Sequence, residues 1–125
     1  MFSPDSTIHV VDDDDAVRDS LRVLLESYDL RVEDFRSVGD YLAAARETRN
    51  ACLLLDIHMP GVSGTELLAE LRARGNDIPV VVVSGRIDDA IQRTAQAAGA
   101  VAVLHKPVRE AELMASIVVA LRPRS

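Results

Sequence analysis

Four apolar runs in this chain end in polar residues of the types that handle phosphate or hard cations. Asp12, Asp13, Asp14 and Asp15 come directly after IHVV, Asp56 closes ACLLL, Ser84-Gly85 closes VVVV, and Lys106-Pro107 follows VAVLH. Crowded carboxylates repel one another strongly at low dielectric unless a cation sits among them. Magnesium suits an open rim of carboxylates, because it keeps several waters and takes one or two carboxylates together with phosphate oxygens. Asp12 and Asp13 therefore read as metal ligands, whereas Asp14 and Asp15 read as acids of a first helical turn, where they complement the helix dipole. Asp56, between LLL and IHMPG, is partly desolvated yet placed at the end of its run. Near a metal such a carboxylate can attack phosphorus to form an acyl phosphate. Lys106 is the single lysine in a chain with 13 arginines. A compact ammonium on a flexible stem can hold a carboxylate before transfer and a phosphoryl oxygen after it, a task less suited to arginine's planar fork. Ser84 and Gly85 are small enough for a ligand to approach closely.

These residues meet only if the runs are neighbours in one sheet. The runs Thr7 to Val11, Leu30 to Phe35, Ala51 to Leu55, Pro79 to Val83 and Ala100 to Leu104 are short and β-branched, as strands covered on both faces are. Helical spacing separates them: Val17, Leu21, Leu24, Leu25 and Tyr28 form one stripe and Leu67, Leu68 and Leu71 another, with further helices expected from Ser37, Asp88 and Arg109. Ser37 is a candidate N-cap, and Ser63 with Glu66 makes a capping box. Five βα units joined by right-handed crossovers give an open parallel sheet with helices on both faces. Ligands bind such sheets beyond the carboxyl ends of the strands, which is where all four polar clusters lie.

Composition narrows the function classes. A chain of 125 residues with 48% hydrophobic and 27% charged residues is expected to form one domain over 1–125, with flexible ends at 1–6 and 122–125. The ending RPRS could be a linker stub. A net charge of -6 and a pI near 4.9 argue against direct nucleic-acid binding by this chain. No apolar run is long enough to span a membrane, and the N-terminus lacks a signal-peptide pattern, so the cytoplasm is the expected compartment. Cys52 reads as a buried thiol without redox work. His58 and His105 do not have the spacing of a transition-metal motif.

The segments VVDDDD, LLLDIHMPGVSG, VVVVSG and HKP, in this order and across nearly the whole chain, resemble the response-regulator receiver family of bacterial two-component systems. Within it, IHVVDDDDAVRDSL, AGAV and HKP are most similar to the FixJ-like group of nitrogen-fixation regulators. The resemblance implies an α/β, flavodoxin-like (βα)5 three-layer sandwich with a five-stranded parallel sheet of order 2-1-3-4-5. It implies Asp56 as phosphoacceptor and Mg2+, with Mn2+ as a substitute, held by Asp13, Asp56 and the backbone carbonyl of His58, Asp12 acting mainly through metal-bound water. Lys106 and the Ser84 hydroxyl would bind phosphoryl oxygens, and the Lys106-Pro107 bond would be cis. The implied partners are a sensor histidine kinase as donor and an output domain or downstream protein, with phosphorylation-dependent dimerisation through the fourth helix and fifth strand. The chain would be a regulatory phosphoacceptor rather than an enzyme with turnover.

One residue departs from the family pattern. Val103 stands where a Tyr or Phe commonly reports the Ser/Thr movement, so the departure touches signalling rather than phosphorylation. By the resemblance, His58 and Arg86 stand where the family varies residues that control access to the phosphoryl group. A haloacid-dehalogenase-type phosphatase also uses a strand-end Asp, a Ser or Thr, a Lys and Mg2+, but it places an acidic residue where His58 stands. A non-phosphorylated interaction module would not need the joint set Asp12, Asp13, Asp56, Ser84 and Lys106. A flavin phosphate would meet aspartates where it needs N–H donors.

Overall fold

The computed structural model describes residues 2–44, 49–57, 64–86 and 88–122. Along the chain come β1 (Thr7–Val11), α1 (Asp15–Glu26), β2 (Arg31–Phe35), α2 (Val38–Ala44), β3 (Ala51–Asp56), α3 (Gly64–Ala73), β4 (Val80–Ser84), α4 (Asp89–Ala97), β5 (Ala102–His105) and α5 (Glu110–Ala120). All strand pairings are parallel, and the order is β2-β1-β3-β4-β5. This is the flavodoxin-like arrangement.

The period of two within each strand divides the core in two. Ile8, Val10, Cys52, Leu54, Val81 and Val83 face a cluster with Leu25 of α1 and Leu113 and Ile117 of α5. The alternate residues Val11, Leu53, Leu55, Val80 and Val82 face Tyr41 of α2, Leu67, Leu68 and Leu71 of α3, and Ala95 of α4. Sandwiched between helices, β1, β3 and β4 are buried almost end to end. Cys52 is fully buried in the first cluster. Loss of hydration pushes its thiol up to about 12, against a smaller opposing bond from Val81.

Helix starts follow the caps. Asp14 accepts from the Ala16 and Val17 amides at the head of α1, the Ser37 hydroxyl accepts from the Asp40 amide, and Asp88 accepts from the Ile91 amide. Arg109 precedes α5 without a side-chain capping bond. Ser63, and with it the expected capping box, lies outside the described residues, as do Arg46 and Glu47 of the second helical run.

The first and third strands begin where the apolar runs do, the other three begin one or two residues later, and backbone bonds explain why. Asp29, at φ 64°, turns the chain so that the Leu30 N–H closes α1 onto the Leu25 carbonyl. Gly99, at φ 78°, does the same for α4, where the Ala100 N–H reaches the Ala95 carbonyl at 2.9 Å. Leu30 and Ala100 are thus helix-closing residues, and their strands begin later. Pro79 donates no N–H, and its carbonyl accepts from Leu53 at 2.8 Å just ahead of β4.

Candidate functional site

At the carboxyl end of β1 the chain turns directly into α1, so Asp12 is caught between sheet and helix and is only 3% exposed. Its N–H donates to the Phe35 carbonyl at 3.1 Å and its Oδ1 accepts from the Asp14 amide at 2.9 Å. Next door, at the end of β3, Asp56 is 5% exposed. Lys106 leaves β5 after its backbone N–H has bonded the Ser84 carbonyl at 2.8 Å, a bond that ties it to the end of β4. From there its ammonium donates to Asp12 Oδ2 at 3.2 Å and to Asp56 Oδ2 at 3.3 Å. The following peptide bond, Lys106-Pro107, is cis.

One ammonium thus bridges two buried carboxylates from different strands. Burial pulls the Lys106 pKa down, but Asp56 and then Asp12 outweigh it, and the ammonium titrates above the ordinary lysine value. Asp13, exposed beside them, completes the acidic group: one carboxylate oxygen each from Asp12, Asp13 and Asp56 lies within 4.8 Å of the others. The donor set is all hard oxygen, two members buried and one open to water. That combination fits Mg2+, which keeps water and phosphate ligands, better than a metal preferring nitrogen or sulfur.

Two clefts of about 500–550 Å³ open onto this cluster. One is lined by Asp56, Gly85, Arg86 and Lys106. The other runs from Asp12, Asp56 and Lys106 between α1 and the loop into α5, past Val17, Leu21 and Val108. Gly85 leaves its space open, since a Cβ there would meet nothing within 4 Å.

Ser84 is placed differently. It is fully buried at the end of β4, one residue past Val83, the register partner of Asp56. Its hydroxyl donates to the Arg86 carbonyl at 2.6 Å and accepts from the Arg86 amide at 3.1 Å. The side chain is therefore occupied within its own turn. Val103, opposite Val82 on β5, packs half-buried against the second core cluster, and His105 is exposed at the strand's end. His58 lies outside the described residues.

Three residues around the site were not singled out by sequence reasoning. Gly64, first residue of α3, lies so close behind Asp56 that a Cβ would fall 2.7 Å from the Ile57 Cα and 2.9 Å from the Asp56 carbonyl oxygen. Arg18 and Asp34 tie α1 to β2 and to the Asp12 backbone. The available signal was a pair of arginines, Arg18 and Arg22, four apart on one helix face, with an acid in the strand that follows.

Comparison with known proteins is consistent with this geometry. The response regulator receiver domain family matches residues 8–118. The chain is 43% identical over 110 residues to the transcriptional regulatory protein FixJ of Azorhizobium caulinodans, covering 88% of this chain and 52% of that protein. It is 38% identical over 117 residues to the response regulator protein TodT of Pseudomonas putida, covering 94% and 52%. Among solved structures it superposes on FixJ-N with a TM-score of 0.86 at 35% identity, covering 97% of both chains. On the response regulator StyR the TM-score is 0.87 at 39% identity, covering 94% of this chain and 59% of that one. The chain spans about half the length of these curated relatives.

Proposed function

Because the chain belongs to the response regulator receiver family, we propose that Asp56 is its phosphoacceptor and draws on a phosphohistidine of a sensor histidine kinase. The observation that carries this reading is the Lys106 ammonium shared between buried Asp12 and Asp56, with Asp13 alongside. An Asp56 carboxylate oxygen attacks phosphorus in line, the P–N bond to the donor imidazole breaks, and the imidazole leaves with the electron pair. Asp13, Asp56 and the backbone carbonyl of His58 would hold Mg2+, with Asp12 acting through a coordinated water. Bound there, Mg2+ would offset charge on the phosphoryl oxygens, and Mn2+ would substitute for it. Lys106 gives up its carboxylate bonds and takes a phosphoryl oxygen, so the positive charge already lies where negative charge develops.

Phosphorylation adds roughly -1.5 to -2 of charge at neutral pH. The Ser84 hydroxyl then exchanges the Arg86 carbonyl for a phosphoryl oxygen, which loosens the 84–86 turn leading into α4 and reshapes the α4-β5-α5 face. With Val103 in place of a large aromatic, the movement is carried by backbone and small side chains, at a coupling of about 1–3 kcal/mol. Arg86, lining the cleft, and His58 set access of water to the acyl phosphate and hence the lifetime of the signal.

Residues 1–125 act as one receiver domain, in the cytoplasm, and control an output domain or downstream protein that is transcriptional, as the name of the relative FixJ suggests. Among the described residues no helix is long and apolar enough to cross a membrane. Direct DNA contact is not assigned to this chain, whose net charge is -6. β5 is an edge strand, and we assign dimerisation on phosphorylation to the α4-β5 face. Sedimentation with beryllofluoride is expected to show a dimer, and an unchanged monomer refutes that part.

The test of the main reading is a small phosphoramidate donor with Mg2+. It is expected to label Asp56 to no more than one equivalent per chain, with no steady turnover of a generic phosphate ester. Continuous phosphate release without a labelled aspartate would make the chain a phosphatase instead.

A further inference from the structure

We propose that Arg18 is a positioning residue for the metal site, holding the backbone of Asp12 and Asp13 in the orientation that Mg2+ requires, and that Asp34 in turn holds Arg18. The role presupposes the Mg2+ site proposed above. Arg18 is 9% exposed on α1, and its guanidinium reaches three acceptors on three elements. Nη1 donates to the Asp12 carbonyl at 2.7 Å, Nε donates to Asp34 Oδ2 at 3.3 Å on β2, and Nη2 pairs with Asp15 at the head of its own helix. Asp34 is fixed from its other oxygen by Arg22 Nη2 at 2.6 Å, and Arg22 also bonds the Val32 carbonyl at 3.1 Å.

The Asp12 carbonyl belongs to the peptide that joins Asp12 to Asp13, so pinning it sets the direction in which Asp13 leaves the sheet. Asp12 has its own side-chain anchors in Lys106 and the Asp14 amide. Asp13 is exposed and sits within the carboxylate cluster, and among the described residues no such side-chain anchor holds it, so its backbone is the element that places it. A rigid fork suits this task, since a planar guanidinium can serve several acceptors in fixed directions where an ammonium cannot. A buried cation near a divalent ion would ordinarily weaken metal binding by repulsion. Asp15 and Asp34 neutralise this one, so it can orient the loop without opposing the ion.

The experiment is Mg2+ titration of the full 15N-labelled chain at fixed ionic strength, for wild type, Arg18→Met and Arg22→Met. Arg22→Met is the control, because it also removes a partner of Asp34 but leaves the Asp12 carbonyl bond intact. Arg18→Met is expected to weaken Mg2+ about tenfold and Arg22→Met by less than about twofold, the range seen when groups that orient a ligand are removed. In the metal-free protein, faster hydrogen exchange of the Asp14 amide is expected for Arg18→Met alone. Equal weakening by both variants, or none by Arg18→Met, overturns the role, since a merely structural arginine would affect both alike. Should Arg18→Met not fold, Arg18→Lys replaces it, with a loss of at least about threefold expected because one ammonium cannot satisfy all three acceptors. Wild-type affinity in that folded variant also overturns the role. Absence of Mg2+ binding by the wild type overturns the metal site and this role together, whereas wild-type binding matched by Arg18→Met overturns the role alone.

Discussion

Gly64→Ala tests how closely α3 must press on the back of the strand that carries Asp56. The added Cβ would sit 2.7 Å from the Ile57 Cα, 2.9 Å from the Asp56 carbonyl oxygen and 2.9 Å from the Ile57 Cγ1. Ordinary contacts of a Cβ begin near 3.4 Å. Two of these three atoms are backbone at the end of β3, held by the Ile57 N–H to Val83 carbonyl bond of 3.1 Å, and they cannot swing aside as a flexible side chain would. Overpacking of this kind costs about 1–3 kcal/mol. Alanine offsets up to about 1 kcal/mol of it through better helix propensity, and less at a first helical position. A net loss of about 1–2 kcal/mol follows, or a fall in Tm of roughly 3–10 °C for a domain of this size. Because the strain is relieved by moving Asp56, the rate of phosphoryl uptake should fall as well. Urea unfolding followed by circular dichroism measures the first effect and labelling of Asp56 the second. Gly85→Ala is the control, as its Cβ would meet nothing within 4 Å, and its stability should change by less than about 0.5 kcal/mol. A Gly64→Ala protein as stable as wild type would refute the close-approach reasoning.

Other perturbations follow from the same contacts. Asp34 loses stability by desolvation, but Arg22 and then Arg18 more than compensate and hold its carboxyl below the ordinary value. Its ionised form therefore stabilises the fold above about pH 3.9, and that contribution is lost as pH falls through the depressed folded value. Asp34→Asn should cost about 1–2 kcal/mol at pH 7, and that cost should shrink as pH falls below the ordinary carboxylate range toward the depressed folded value; a gap in urea midpoint that stays constant with pH contradicts the ion pairing. Lys106→Met removes the cation shared by Asp12 and Asp56, so Asp56 labelling should slow by about 10²-fold while Mg2+ raises Tm more than it does in wild type. Labelling at the wild-type rate would remove Lys106 from the chemistry. Cys52, with its thiol pushed up to about 12 by burial, should resist a thiol reagent in the native state and react once urea unfolds the chain, and rapid native labelling would contradict its burial.

The sheet and the site's charged members were legible because their causes are local. Apolar runs of four to six residues ending in Asp12, Asp56, Ser84 and Lys106 are visible in any reading of the chain, and parallel βα units put all those ends on one edge of the sheet. Other features rest on backbone groups, which carry no mark in the sequence. The acceptor for Arg18 is a carbonyl, the obstacle that requires Gly64 is a Cα and a carbonyl, and the Ser84 hydroxyl is held by the Arg86 peptide. Leu30 and Ala100 look like strand residues because they are apolar, yet their N–H groups close the preceding helices. Sequence pattern reports which side chains are buried, and it is silent on which carbonyl an amide selects.

Asp12, Asp13, Asp56, Lys106 and Ser84 are proposed to form one phosphoryl site at the sheet's carboxyl edge. Crystals grown with Mg2+ and beryllofluoride test it directly. The ion is expected among the carboxylates of Asp12, Asp13 and Asp56, the beryllium on an Asp56 oxygen, Lys106 Nζ drawn from Asp12 onto a fluorine, and the Ser84 hydroxyl released from the Arg86 carbonyl. Beryllofluoride bound elsewhere, with Lys106 still bridging Asp12 and Asp56 at 3.2 and 3.3 Å, would contradict it.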